Sequence, residues 1–151
     1  MAGDDGRVDA LLRAALALSA EHDLDQILDR MVECAATVAG ARYAALGVYD
    51  AAARIERFVH FGLDADTVAR IGDLPEGRGL LGEVIVADGP IRLADLAADS
   101  RSCGFPAHHP PMRTFLGVPV RVGSRRFGNL YVTEKRDGAE FDAEDERLVV
   151  T

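Results

Sequence analysis

The sequence predicts an α+β domain, with a central antiparallel sheet flanked by helices, and three observations predict it. Apolar residues recur at helical spacing in two early segments. Strand-like runs then come in pairs joined by short turns. The helical segments are gathered in blocks instead of alternating with single strands.

Taken in order, Arg7 to Ala20 carries Val8, Leu11, Leu12, Ala15, Leu16 and Leu18, which predicts an N-terminal helix within residues 1–21. The rest of the domain is then residues 22–151. A second helix is expected from Asp23, with Gln26 three residues on as a capping-box partner and Leu24, Ile27, Leu28, Met31, Cys34, Ala35 and Val38 as its apolar face. Gly40 is placed to end it. Tyr43–Tyr49 and Ile55–Phe61 read as strands joined through Asp50–Ala53. Gly47 inside the first of them marks a bulge or a close approach by another group. Asp64–Ile71 and Leu80–Ala87 read as short helices, and Pro90 opens a strand at Ile91–Leu93. Thr114–Val122 and Phe127–Glu134 form a hairpin on a Gly123-Ser124 turn of the II′ kind. Phe141-Asp142 with Glu144–Val150 enters a final helix that the sequence leaves short of three turns, as an excised fragment would.

Composition narrows the function. A chain of 151 residues with a formal net charge of −8 lacks the basic face that a nucleic acid or an anionic membrane requires. Two cysteines, Cys34 and Cys103, make no disulfide framework, and no signal-peptide layout or membrane-length apolar run occurs. These features predict a cytoplasmic domain without nucleic-acid or membrane partners.

The irregular stretch from Ala94 to Met112 is long for a plain connection and holds His108 and His109 directly before Pro110-Pro111. The prolines keep those histidines out of a helix, and adjacent residues of extended chain point to opposite sides, so one histidine serves a given pocket. A histidine on a stiff loop is a candidate metal ligand. Its alternative is a hydrogen-bonded structural residue. Zinc is weakly supported, because Cys103, His108 and His109 lack the doubled short spacing of structural zinc sites. Gly77–Gly82 matches G-x-G-x-x-G, with Asp99 at about the distance of the acidic partner. A turn, not a strand, precedes it, so a Gly-rich helix entry accounts for it better than nucleotide binding. His22 and His60 read as structural. Alternation over the last strand puts Phe127, Asn129, Tyr131 and Thr133 on one face, the candidate pocket face.

Leu74-Pro75 with Gly77–Gly82 and the late hairpin LGVPV…FGNLYV resemble a GAF domain over nearly the whole chain. More specifically, Gly104-Phe105-Pro106 followed by His109–Val120, with Thr67–Gly72 and the final FGNLYVTEK, resembles the haem-binding GAF domain of the DevS/DosS and DosT family of actinobacterial sensor histidine kinases. The resemblance implies a non-covalent haem b ligated by His109, with Tyr131 as the distal tyrosine that hydrogen-bonds a bound diatomic gas (O2, NO or CO). It also implies that the strand holding Gly47 and Tyr49 borders the distal side. Gly47 would leave the haem edge open, and Tyr49 would act as a further polar group. The implied activity is gas or redox sensing for an attached histidine kinase, with no catalysis in the domain itself and a homodimer as a possible assembly. The alternatives are a GAF domain binding a cyclic nucleotide or other small metabolite, and a ligand-free dimerisation module working through the N-terminal helix.

Overall fold

The computed structural model describes residues 5–72, 80–102, 104–105 and 107–150. The turn expected at Asp73–Glu76, the first half of the Gly77–Gly82 motif, Cys103 and Pro106 lie outside the described residues. Helix α1 spans Asp5–Val38, β1 Ala41–Tyr49, β2 Ile55–Phe61, α2 Ala65–Ile71, α3 Leu80–Val86, β3 Ile91–Leu93, β4 Phe115–Val122, β5 Arg125–Lys135 and α4 Ala143–Val150. The five strands form one antiparallel sheet in the order β2-β1-β5-β4-β3, so the predicted fold class holds.

One expectation fails at the start of the chain. The two predicted helices are a single helix of 34 residues. No glycine or proline interrupts residues 7–38, and a mid-helix Asp23 costs only about 0.5 kcal/mol, so the capping signal at Asp23 and Gln26 does not break a helix that tertiary packing holds. His22 accordingly lies within α1 and not between helices. Gly40, at φ +62°, stops the helix as expected and turns the chain into β1.

Packing of α1 explains why the sheet sits where it does. Leu28, Val32, Ala35, Ala36 and Ala39 face the sheet, and the run of alanines lets the helix lie close against Leu46, Val118, Leu130 and Val132. The opposite face of the sheet holds a second cluster, with Leu80, Val84, Leu96, Phe115 and Tyr131. The β4–β5 turn uses Gly123 at φ +62°, while Ser124 keeps a negative φ, the II′ pattern the sequence predicts.

A β-bulge corrects a second expectation. The β4–β5 register passes from Val120 opposite Gly128 to Arg121 opposite Arg126, leaving Phe127 as the extra residue. Phe127 therefore packs into the α1-side cluster, while Tyr131 belongs to the cluster on the other face. Plain alternation fails there because the extra residue resets it. No helix among the described residues is long and apolar enough to cross a membrane.

Candidate functional site

Directly opposed residues of an antiparallel sheet share a face. One row across the sheet runs His60, Ala45, Tyr131, Gly117, Ile91, and the next runs Phe58, Gly47, Asn129, Pro119. These rows lie on the face turned away from α1. Ala45, Gly47 and Gly117 keep side-chain bulk low along them. An added Cβ at Gly117 would lie 2.9 Å from the Phe115 ring, so Phe115 already fills that position.

Three buried polar groups meet on this face. The Asn129 amide nitrogen donates to Tyr49 Oη at 2.6 Å and to Tyr131 Oη at 3.3 Å, and the two phenol oxygens are 3.4 Å apart. Asn129 is fully buried and Tyr131 is 4% exposed. Burial pushes both phenols above their ordinary pKa. For Tyr49 the neighbouring Tyr131 adds to the rise, whereas for Tyr131 the hydrogen bonds with Tyr49 and Asn129 offset part of it. Both hydroxyls therefore stay protonated at neutral pH, as donors and acceptors. Tyr131 also tilts against the Phe115 ring, with centroids 5.9 Å apart.

The histidine loop arrives over the same face. Its exit is pinned, because the Arg113 and Thr114 N–H groups both donate to Glu134 Oε1 and the Thr133 hydroxyl donates to Met112 Sδ at 3.1 Å. Met112 packs against the cluster that contains Tyr131. Leu96 anchors the earlier half of the loop, buried in that cluster, with its N–H on Arg113 O at 2.7 Å. Three residues before Met112, His109 is half-buried and stacks on Phe105 at 4.6 Å, with Nδ1 2.8 Å from Pro110 O. A carbonyl there requires a proton on Nδ1, which leaves the Nε2 lone pair available to a metal. His108 is exposed, at φ +66°.

The structure thus brings Tyr131, Tyr49 and Gly47 to one face, and the two ends of the loop bearing His109, at Leu96 and Met112, pack on the cluster of that face. Gly47 is buried, and a Cβ added to it would make ordinary contact with Phe58 at 3.8 Å. The close approach expected at Gly47 is therefore not found there; it is Gly128 that must lack a side chain, because an added Cβ would fall 2.1 Å from Gly47 O. Asp99 is held by Arg101 through two side-chain bonds and one backbone bond, which keeps its carboxyl down at about 2. Cys34 is exposed on α1. Among the described residues no three of His, Cys, Asp and Glu converge as a metal cluster.

Sequence reading did not single out Asn129 as a site residue, although an amide between Gly128 and Leu130 in an apolar strand was a visible signal. His60, which the sequence reads as structural, has its Nδ1 buried without a hydrogen-bond partner. A hollow of about 460 Å³ between α1 and the sheet includes Tyr49 and Phe127 in its wall, and a groove of about 400 Å³ runs between β3 and α4.

Comparison with known proteins agrees with this architecture. A family model described as a GAF domain matches residues 21–151. The GAF domain of a phosphoenolpyruvate-protein phosphotransferase from Coxiella burnetii is 24% identical, with a TM-score of 0.67 over 84% of this chain and 76% of that one. Free methionine-R-sulfoxide reductase from Neisseria meningitidis, solved with its substrate, is 20% identical, with a TM-score of 0.60 over 81% and 68%. A domain of a two-component sensor histidine kinase protein from Sinorhizobium meliloti is 13% identical, with a TM-score of 0.55 over 83% and 82%. At these identities the likeness is one of fold.

Proposed function

The chain belongs to the GAF domain family, and from that premise we propose that it is a haem b sensor domain. His109 ligates the iron, and a diatomic gas (O2, NO or CO) binds opposite, beneath Tyr131. The observation that carries this reading is the bond between His109 Nδ1 and Pro110 O, which orients Nε2 as the free ring nitrogen. Haem, when bound, would supply an iron centre that can take a diatomic ligand and has two accessible oxidation states.

The chain's own residues do the rest. Phe105 stacks on the imidazole, and the exit of its loop is pinned at Met112–Thr114. Tyr131 offers a hydroxyl, and Asn129 and Tyr49 fix the position of its oxygen. Tyr131 is covered, so a ligand that reaches its hydroxyl takes the place of side chains such as Leu80, Val84 and Leu96. None of these residues is assigned a catalytic role. The parent protein in this reading is a cytoplasmic histidine kinase.

A homodimer belongs to the same reading. Leu24, Ile27, Met31 and Val38 are 36–55% exposed on α1, and with exposed Cys34 they follow the 3-4-3-4 spacing of a helix-pairing seam. Mild oxidation of a Cys103→Ser protein should then yield a covalent dimer through Cys34, and a monomer at every concentration would end that part of the proposal.

The decisive measurement is a spectrum. Apoprotein titrated with haem should give a stoichiometric Soret band, and the ferrous form should change its bands on adding O2 or CO. A protein that stays colourless after haem supplementation refutes the haem reading and leaves a small metabolite, or no ligand, for this face.

A further inference from the structure

The haem proposal assigns partners to His109 and Tyr131 and leaves one buried polar atom on the same face without a role. His60 lies on β2 directly opposite Ala45, and Ala45 lies directly opposite Tyr131 on β5. The three residues form one cross-strand row, so the His60 and Tyr131 side chains leave the sheet on the same side, two strand spacings or about 10 Å apart. In that row the residue between them is Ala45, whose side chain is a single methyl group. Alongside, Gly47 adds no side chain to the neighbouring row. His60 Nδ1 is buried and makes no hydrogen bond. A polar atom withdrawn from water without a partner costs free energy, and native proteins rarely leave one so. An orphan on a ligand-binding face is explained if the ligand supplies the missing partner.

We infer that His60 is a second polar contact for the bound cofactor. Its Nδ1–H donates to a carboxylate at the periphery of the planar group whose centre lies under Tyr131. This rests on the haem reading, in which the carboxylates are the porphyrin's propionates. The geometry selects a flat ligand that carries an anionic substituent on the β2 side, and it distinguishes His60 from His109: one meets the edge of the ring, the other its metal.

The test compares two cofactors that differ only at those carboxylates. Apoprotein is titrated with protohaem and with its dimethyl ester, in the wild type, His60→Phe and His60→Gln, with circular dichroism to establish folding. The wild type should prefer the free acid. His60→Phe should weaken free-acid binding about ten- to a hundred-fold, the loss expected for a hydrogen bond to a charged group, while leaving ester binding nearly unchanged. His60→Gln, which keeps a donor and perturbs packing less, should restore part of the preference. Equal losses for acid and ester, or no loss for either, overturn the inference while leaving the haem proposal intact. If His60→Phe fails to fold, His60→Gln still decides the matter, because a free-acid preference equal to wild type together with one unchanged in His60→Ala removes any role for the ring nitrogen. A wild type that takes up neither cofactor overturns the haem reading and this inference together.

Discussion

The phenol oxygens of Tyr49 and Tyr131 lie 3.4 Å apart, although 82 residues separate them in the chain. Asn129, beside them, donates its amide nitrogen to both. Tyr131 is thus held in place by two buried polar neighbours from β1 and β5, and the position of its oxygen is set before any ligand arrives. Preorganised donors of this kind need little reordering when a partner binds.

That arrangement makes Tyr131→Phe the most informative substitution. A dioxygen ligand on ferrous haem carries partial negative charge and gains from a phenol donor, whereas carbon monoxide, nearly neutral, hardly uses one. Loss of a hydrogen bond to a charged group should weaken O2 affinity by about one to two orders of magnitude, mainly through faster release, with a much smaller change for CO. Stopped-flow release rates and gas titrations check this. Equal, small changes for both gases in a folded, haem-loaded protein would reduce Tyr131 to a core aromatic.

The raised pKa values of Tyr49 and Tyr131 make stability depend on pH in the alkaline range. A phenol whose folded pKa exceeds its ordinary value of 10.0 binds its proton more tightly in the native state. Its stabilising contribution is complete below pH 10 and is lost as pH rises towards the folded value. Urea midpoints should therefore fall as pH rises above about 10, and a Tyr49→Phe, Tyr131→Phe double variant should show a flatter alkaline limb. An identical limb in both proteins would mean that other groups govern it.

Much of the sheet was legible in the sequence because its signals are local. Ile55–Phe61 and Ile91–Leu93 have the predicted bounds, and Gly123 sits at positive φ where a two-residue hairpin turn needs it. The face of Phe127 was not legible. Alternation is read along one strand, whereas the bulge that re-aims Phe127 arises from how β4 and β5 pair. The unbroken α1 escaped for a related reason: Asp23 and Gln26 are a good cap locally, and packing of Leu28 through Ala39 on the sheet outweighs it. At the candidate site, strand period and resemblance single out Tyr131, Tyr49 and Gly47, and the structure puts all three on one face. His60 needed the pairing register, because only through Ala45 of β1 does it join the row that holds Tyr131.

The two loop histidines should behave differently. His109→Ala removes the ring whose Nδ1 is fixed by Pro110 O, so haem binding should be lost or become weak and spectrally altered. His108→Ala, at an exposed position, should keep a five-coordinate ferrous haem. Alanine there also gives up nothing packed, although positive φ at His108 makes the site a little costly for any residue that carries a Cβ. Reversed phenotypes would identify His108 as the ligand.

Gly47 offers a graded test of access. A methyl group there would make only ordinary contact with Phe58 and Ile55, so Gly47→Ala should fold and gain about 0.5–1 kcal/mol from the less flexible unfolded chain. Gly47→Glu adds a longer, charged side chain on the Phe58 side of the face. It should slow the oxidation of ferrous haem by O2 by narrowing the approach. Unchanged oxidation kinetics in the folded variant would restrict Gly47 to backbone geometry.

The length of α1 has a mechanical corollary. Its sheet-facing residues run from Leu28 to Ala36, with Ala39 just past its end, and between Ala20 and Ile27 every described side chain is exposed, with Asp25 paired to Arg57 of β2. The backbone continues as helix for a further 20 residues, Asp5 to Leu24, about 30 Å at 1.5 Å per residue. A stiff helix magnifies angular change along its length. Tilting the sheet-packed segment by about 5° would carry the far end through about 2.6 Å over that length. A displacement too small to disturb the hydrogen bonds of β1 would therefore become, at Asp5, a shift comparable to half a helical turn.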